Sequence, residues 1–118
     1  MNPAYTLDNV EIIAEDHPDT FSIPSLEMRE RLQPGDLIKD HFRGSNAKGD
    51  VSVERMWVEV TDVQPAGYVG RLDNDPTQLV NVQCDDTVSF LPMHISSIWI
   101  DKEDNWDERM NKPANSFE

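Results

Sequence analysis

The feature of the sequence that most constrains the fold is a run of short alternating segments, separated by turn residues, over residues 35–101. In "ERMWVEV", which covers residues 54–60, the apolar residues Met56, Val58 and Val60 stand on every second position. This two-residue period is typical of a β-strand that buries one face. No long helical pattern separates these segments, so the chain is predicted to fold around a β-sheet.

Five strands are predicted in this region, joined in chain order by short connections. Pro65 and Gly67 in "QPAG" suit a tight turn between the second and third strands. The predicted fold class is mainly β, with an antiparallel sheet that closes as a small barrel or bends strongly; an α+β fold with a curved antiparallel sheet is the alternative. The predicted strands are "GDLIKDHF", "ERMWVEVTDV", "YVGRLDND", "DTVSF" and "SSIWID", and the predicted core is Val58, Val60, Leu72, Val88, Phe90, Ile98 and Ile100.

Three regions of different composition divide the chain. Residues 1–24 are an acidic N-terminal arm with three prolines, in which "NVEII" is interpreted as a short strand against the body. Residues 25–101 are a single β-rich domain that begins with a short helix, for which Ser25 is the expected N-cap. Residues 102–118 are a highly charged C-terminal tail, which is expected to be loose.

The composition limits the classes of protein to which the chain can belong. Its 118 residues, 37% of them hydrophobic, suit one compact domain. No apolar run approaches the roughly 20 residues of a membrane-spanning helix, and the single cysteine, Cys84, cannot form an internal disulfide. We therefore expect a cytoplasmic protein with no membrane partner.

The net charge is the most unusual global property of the sequence. The chain carries 23 acidic and 10 basic side chains, which give a net charge of −13. Such a charge is typical of a surface kept soluble by repulsion, or of a protein that attracts a basic partner. It disfavours nucleic acid, whose phosphates it would repel. The oligomeric state is not indicated by the sequence.

Several segments carry a family resemblance over roughly residues 32–101. "PGDLIKDHF", "ERMWVEVTDV", "YVGRLDNDP" and "DTVSFLPMHISSIWI" occur in the order and spacing of a bacterial family, domain of unknown function 2314, which the chain resembles. One departure is Cys84-Asp85-Asp86, where such domains usually have glycine before the aspartate, so a differently built turn is expected there. The resemblance implies a fold and a bacterial context but no reaction.

A second resemblance concerns topology alone. "SFLPMHISSI" is similar to the strand, single helical turn and strand with which SH3-like barrels close. The expected architecture is therefore a five-strand SH3-like barrel or bent sheet. The peptide-binding residues of true SH3 domains have no counterparts here, so peptide binding is not implied.

The residues that usually carry catalysis or bind metal are scattered. His17, His41, His94 and Cys84 show no ligand spacing typical of zinc, and the five glycines form no phosphate-binding loop. The acidic "DNDP" and "CDD" segments suit chain-turning Asx interactions better than a calcium site. The sequence therefore predicts that the protein is not an enzyme and that it has no catalytic residue, metal site or cofactor.

Two tryptophans are more informative, because strand alternation turns Trp57 and Trp99 away from the predicted core. Either the helix of residues 25–33, the arm or the tail covers them as a second small core, or at least one is an exposed anchor for a partner. The sequence favours the first interpretation. Arg55 and Arg71 also lie off the core register, where they can flank such an anchor.

The function that the sequence favours is a non-catalytic bacterial protein-interaction module, immunity-like or antitoxin-like, that binds a basic protein through an acidic surface. The alternative is a β-barrel that binds a small ligand or nucleic acid by aromatic stacking. Gene neighbourhood would separate the two. The candidate binding residues are Arg55, Trp57, Arg71, Asp73, Asn74, Asp75, His94 and Trp99.

Overall fold

The computed structural model describes residues 5–101 and 103–117. These residues contain six strands and three short helices, with a 3₁₀ turn at Pro92–His94 before the last strand. None of the helices in these ranges is long and apolar enough to cross a membrane. The elements are β1 (Thr6–Leu7), α1 (Val10–Asp16), α2 (Leu26–Arg29), β2 (Leu37–Ser45), β3 (Val51–Gln64), β4 (Gly67–Leu72), β5 (Thr87–Phe90), β6 (Ile95–Ile98) and α3 (Trp106–Met110).

The strands form one antiparallel sheet that curls into a half-barrel. They lie in the order β1-β2-β3-β4-β5, and β6 pairs with the same edge of β2 as β1 does, nearer the start of β2. The chain passes from β5 through the 3₁₀ turn to β6, as the closing segment predicts. The mainly β prediction is confirmed, and the sixth strand, β1, comes from the N-terminal arm.

Three local features bend the sheet. Thr61 is an extra residue where β3 pairs with β4, and Ser96 is an extra residue where β6 pairs with β2. Such bulges increase the local twist. At Gly70 a Cβ atom would stand 2.5 Å from the carbonyl oxygen of Glu59, so only glycine permits this approach between β3 and β4. The predicted turn also forms, because Gln64 pairs with Gly67 across Pro65-Ala66.

The core fills the concave side of the half-barrel. Val58, Val60, Leu72, Val88 and Phe90 are buried as predicted, and Ile98 packs against them while partly exposed. The prediction for Ile100 is wrong, because its side chain is 58% exposed. β6 ends at Ile98, so the alternation that would turn Ile100 inward no longer applies. Ile95, at the start of β6, is fully buried.

The ionisable side chain of Asp40 lies inside this core. Asp40 alternates with Ile38 and Phe42 on the inward face of β2, and its side chain is completely buried. Neither carboxylate oxygen has a hydrogen-bond partner among the described residues. Burial raises the pKa of Asp40 well above its usual value, because the interior disfavours the charged form.

The short helices differ in part from the predictions. Ser25 caps α2 as expected, accepting a hydrogen bond from the amide of Met28 at 3.3 Å. The "NVEII" segment is helical rather than extended: it begins α1, and the side chain of Asn9 accepts a hydrogen bond from the amide of Glu11. The strand prediction for this segment is therefore wrong, because the Asn9 side chain caps a helix instead of leaving the backbone extended.

The C-terminal segment is packed on the body over its described residues, which differs from the loose tail expected. The Arg109 guanidinium donates to both carboxylate oxygens of Asp36, at 2.7 and 3.1 Å. The side-chain amide of Asn115 donates to the carbonyl of Leu32 and to the Tyr68 hydroxyl. These contacts join the tail to the segment between α2 and β2, at Leu32 and Asp36, and to Tyr68 in β4.

Candidate functional site

The outer, convex face of the sheet carries most of the residues that sequence reasoning selected. Alternation along β3 directs Met56 and Val58 into the core and Arg55, Trp57 and Glu59 outward. Across the β2 pairing, Lys39 stands opposite Trp57. This face is therefore built from side chains that are neighbours across the strands.

Trp57 and Trp99 form an aromatic pair on this face. Their ring centroids lie 5.9 Å apart at an interplanar angle of 80°, an edge-to-face arrangement. The ammonium of Lys39 lies 4.6 Å from the centroid of the Trp57 ring. Trp57 is half-buried, whereas Trp99 is 59% exposed. The Trp57 ring, which the sequence interpretation placed under the helix, the arm or the tail, is thus contacted by Lys39 and Trp99.

The leading helix makes its contacts elsewhere. The Tyr68 hydroxyl donates to the carbonyl of Arg29, at the end of α2, at 2.8 Å and accepts from the amide of Leu32 at 3.3 Å. Leu32 itself is fully buried in the main core. The helix region therefore closes one end of the half-barrel, which corrects the expectation that it covers Trp57.

An acidic cluster borders the aromatic pair along β3 and β4. Arg71 forms ion pairs with Glu59 at 2.7 Å and with Asp85, and Asp73 lies 4.0 Å from the same guanidinium. The hydrogen bonds to Glu59 and Asp85 raise the pKa of Arg71. Three carboxylates face one guanidinium, so the cluster has a net charge of about −2. Arg71 therefore organises an acidic surface rather than forming a basic flank.

The "DNDP" segment holds the edge of the sheet beside Trp57. The amide of Asp73 donates to the Trp57 carbonyl at 2.9 Å, and the side-chain oxygen of Asn74 accepts from the Trp57 amide at 3.0 Å. Asn74 thus acts across strands, not in the local Asx turn that the sequence indicates. Asp75 is exposed. These contacts fix the backbone that carries the indole.

Glu54 holds the segment that follows "DNDP" in place. It is not among the candidate residues named from the sequence. Its carboxylate accepts hydrogen bonds from the amides of Thr77, Gln78 and Leu79 at 2.8, 2.9 and 3.1 Å. Partial burial opposes ionisation, but these hydrogen bonds outweigh it and lower the pKa of Glu54. No local motif marks the residue, because its partners lie more than twenty positions away along the chain.

The turn that enters β5 explains how the chain tolerates its departure from the family pattern. Asp85 has φ = 76°, a left-handed conformation in which glycine is the most favourable residue and aspartate is tolerated. Its amide donates to the carbonyl of Leu72 at 2.8 Å. Asp85 therefore takes a glycine-like backbone and adds a carboxylate to the acidic cluster.

His94 lies apart from the tryptophan pair. It sits in the 3₁₀ turn, where its Nδ1 accepts the amide of Leu91 at 3.0 Å. Burial lowers the pKa of His94, against opposing effects of Asp8 and Glu11. The ring lines a separate pocket with Tyr68 and Phe90, so the structure does not join it to the other candidates.

Arg55 lies at the opposite end of the outer face from Arg71, across from His41 on β2.

Within the described ranges, no group of three or more His, Cys, Asp or Glu side chains is placed to hold a metal ion. Cys84 is an exposed free thiol.

The comparisons place the chain in a bacterial family. No curated protein and no solved structure matches it. A family model described as "Uncharacterized protein conserved in bacteria (DUF2314)" matches residues 26–106, from the start of α2 to the start of α3. That span contains the aromatic pair of Trp57 and Trp99 and the acidic cluster beside it. The chain therefore belongs to the bacterial family of domain of unknown function 2314.

Proposed function

We propose that this chain is a non-catalytic protein-interaction module and that its outer sheet face binds a basic protein partner. One observation carries the proposal: Trp99, directly after β6, is 59% exposed and stands edge-on against Trp57. A large exposed aromatic side chain costs solvation free energy in the free protein, which a partner can recover by burying it.

The aromatic pair has the properties of an interface anchor. Tryptophan is enriched among residues that dominate binding energy, and the neighbours that exclude water from it contribute less. Trp99 stands against the ring of Trp57, whose backbone is held by Asp73 and Asn74 and whose ring Lys39 contacts. Little side-chain entropy is then lost on binding, because the anchor is already ordered.

Charge complementarity indicates the chemistry of the partner. The cluster of Glu59, Asp73 and Asp85 around Arg71 borders the aromatic pair and is net acidic. The whole chain has a net charge of −13. Both the local and the long-range field attract a basic protein, and they favour fast association at low salt. An immunity or antitoxin role in a bacterial cytoplasm, where the exposed Cys84 thiol stays reduced, is consistent with such a partner.

The experiment compares three immobilised forms of the protein in extract from the native host. Wild type and Ile12→Ser, which removes an equally exposed apolar side chain on α1, are expected to retain the same basic protein, whereas Trp99→Ser loses it. The retained protein is then purified, and its association rate is expected to fall as salt rises. Equal retention by Trp99→Ser removes the aromatic anchor from the proposal. An association rate independent of salt removes the electrostatic part.

A further inference from the structure

A second pocket lies at the other end of the outer face. It has a volume of about 270 Å³ and lies between β2, β3, β6 and the segment before α2. This is several times the volume that one water molecule occupies in the liquid, about 30 Å³. Its lining is polar except for one aromatic ring and consists of Thr20, Phe21, Ser22, Lys39, His41, Arg55, Ser96 and Ser97.

The charge of this pocket is opposite to that of the chain. Acidic side chains outnumber basic ones 23 to 10 in the sequence, yet the lining contains two cations, Lys39 and Arg55, and no carboxylate. Neither cation forms an ion pair within the described residues. The nearby carboxylate of Asp8 is engaged by Arg43 at 2.9 and 3.1 Å. The positive charge of the pocket is therefore not neutralised from within.

His41 provides a second observation at this pocket, independent of the two cations. Its side chain lines the pocket while the residue is only 3% exposed, and its Nε2 has no hydrogen-bond partner among the described residues. Phe21 holds the ring edge-on, with centroids 5.7 Å apart. Burial, and then the charges of Arg55 and Lys39, lower the pKa of His41 against an opposing effect of Asp8. A buried nitrogen without a partner is costly unless a ligand or water satisfies it.

We propose that this pocket binds a small oxyanion of the phosphate type. Arg55 and Lys39 supply the compensating charge, and His41 and the hydroxyl of Ser97 supply hydrogen bonds. The donors come from three different strands, which suits a tetrahedral anion better than a planar carboxylate that one guanidinium can hold in its plane. Ser96 only supports the site, because its hydroxyl donates to the carbonyl of Lys39 at 3.0 Å. The proposal does not depend on the protein-partner interface.

The test is an NMR titration of the His41 ring with inorganic phosphate, phenyl phosphate and acetate at constant ionic strength. Saturable shifts with the two phosphates below about 10 mM are expected, together with a rise in the pKa of His41 as the anion binds. Acetate is expected to bind at least about tenfold more weakly. Tighter binding of phenyl phosphate identifies a phosphoryl group on a larger ligand, with Phe21 contacting its ring; equal binding identifies free phosphate.

Matched variants make the result specific. Arg55→Gln and Lys39→Gln are each expected to weaken phosphate binding about tenfold or more, whereas Lys48→Gln, in an exposed loop, removes the same charge without effect. Non-saturable shifts, or equal losses in all three variants, would overturn the proposal. Since no protein partner is present, failure here is distinct from failure of the proposed interface.

Discussion

The indole of Trp99 stands edge-on against the indole of Trp57, with ring centroids 5.9 Å apart, and only Trp99 exposes most of its surface. This asymmetry predicts unequal contributions to stability. We expect Trp57→Ala to lower the free energy of unfolding by about 1–3 kcal/mol, because the half-buried ring contacts Lys39 and Trp99. Trp99→Ala is expected to cost less than about 1 kcal/mol. Urea denaturation measures both; a larger loss for Trp99→Ala would contradict this account of the pair.

The register of β5 is tested by two adjacent substitutions. Val88 is fully buried, so Val88→Asp places an unpaired carboxylate in the core and is expected to unfold the domain. Ser89→Asp introduces the same group on the exposed side of β5 and is expected to change stability by less than about 0.5 kcal/mol. Circular dichroism and urea denaturation distinguish the two variants. A folded Val88→Asp protein of near-native stability would show that the strand register is wrong.

The buried carboxyl of Asp40 predicts an unusual dependence of stability on pH. Its raised pKa means that the folded state holds the proton at pH values where the unfolded state has released it. The free energy of unfolding should therefore fall as pH rises from the ordinary aspartate value through the raised one. Asp40→Asn should flatten this slope, while Asp75→Asn, at an exposed turn, should retain it. Denaturation midpoints measured across pH test this contribution of Asp40. An unchanged slope in Asp40→Asn would refute it.

Glu54 predicts a dependence of stability on pH that is opposite to that of Asp40. Its pKa is lowered in the folded state, so its stabilising effect is present above the ordinary glutamate value and is lost as pH falls through the lowered one. We expect Glu54→Gln to reduce stability by about 1–3 kcal/mol, because the amides of Thr77, Gln78 and Leu79 lose a charged acceptor. Their hydrogen exchange should accelerate, whereas Glu15→Gln on the exposed side of α1 should leave it unchanged. Unaltered protection in Glu54→Gln would argue against this role.

Local periodicity alone predicts the sheet and one part of the candidate site, the outward position of Trp57. The alternation around Trp57 predicts both the buried face and the outward indole, because side chains of a strand alternate regardless of what they contact. The same rule failed at Ile100, since β6 ends before that residue and alternation carries no information about where a strand stops. The interpretation of "NVEII" as a strand, which rests on no sustained period, is also wrong, because the capping contact of Asn9 favours a helix.

The rest of the outer face depends on pairing between strands, which one sequence does not reveal. Lys39 meets Trp57 only through the β2–β3 register, and the bulge at Ser96 sets how β6 borders the positive pocket. Glu54 reaches amides far along the chain. The sequence shows His41 only as one of several scattered histidines, because its lack of a hydrogen-bond partner among the described residues is visible only once its surroundings are known.

The affinity of the reconstituted complex with its basic partner tests the central claim most directly. Isothermal titration should give a dissociation constant for Trp99→Ala that is at least about thirtyfold higher than for wild type, equivalent to about 2 kcal/mol or more. The exposed control Ile12→Ala should bind like wild type, and both variants should keep nearly native unfolding free energies. A Trp99→Ala protein that is folded and binds the partner with unchanged affinity would contradict the assignment of this face as the binding surface.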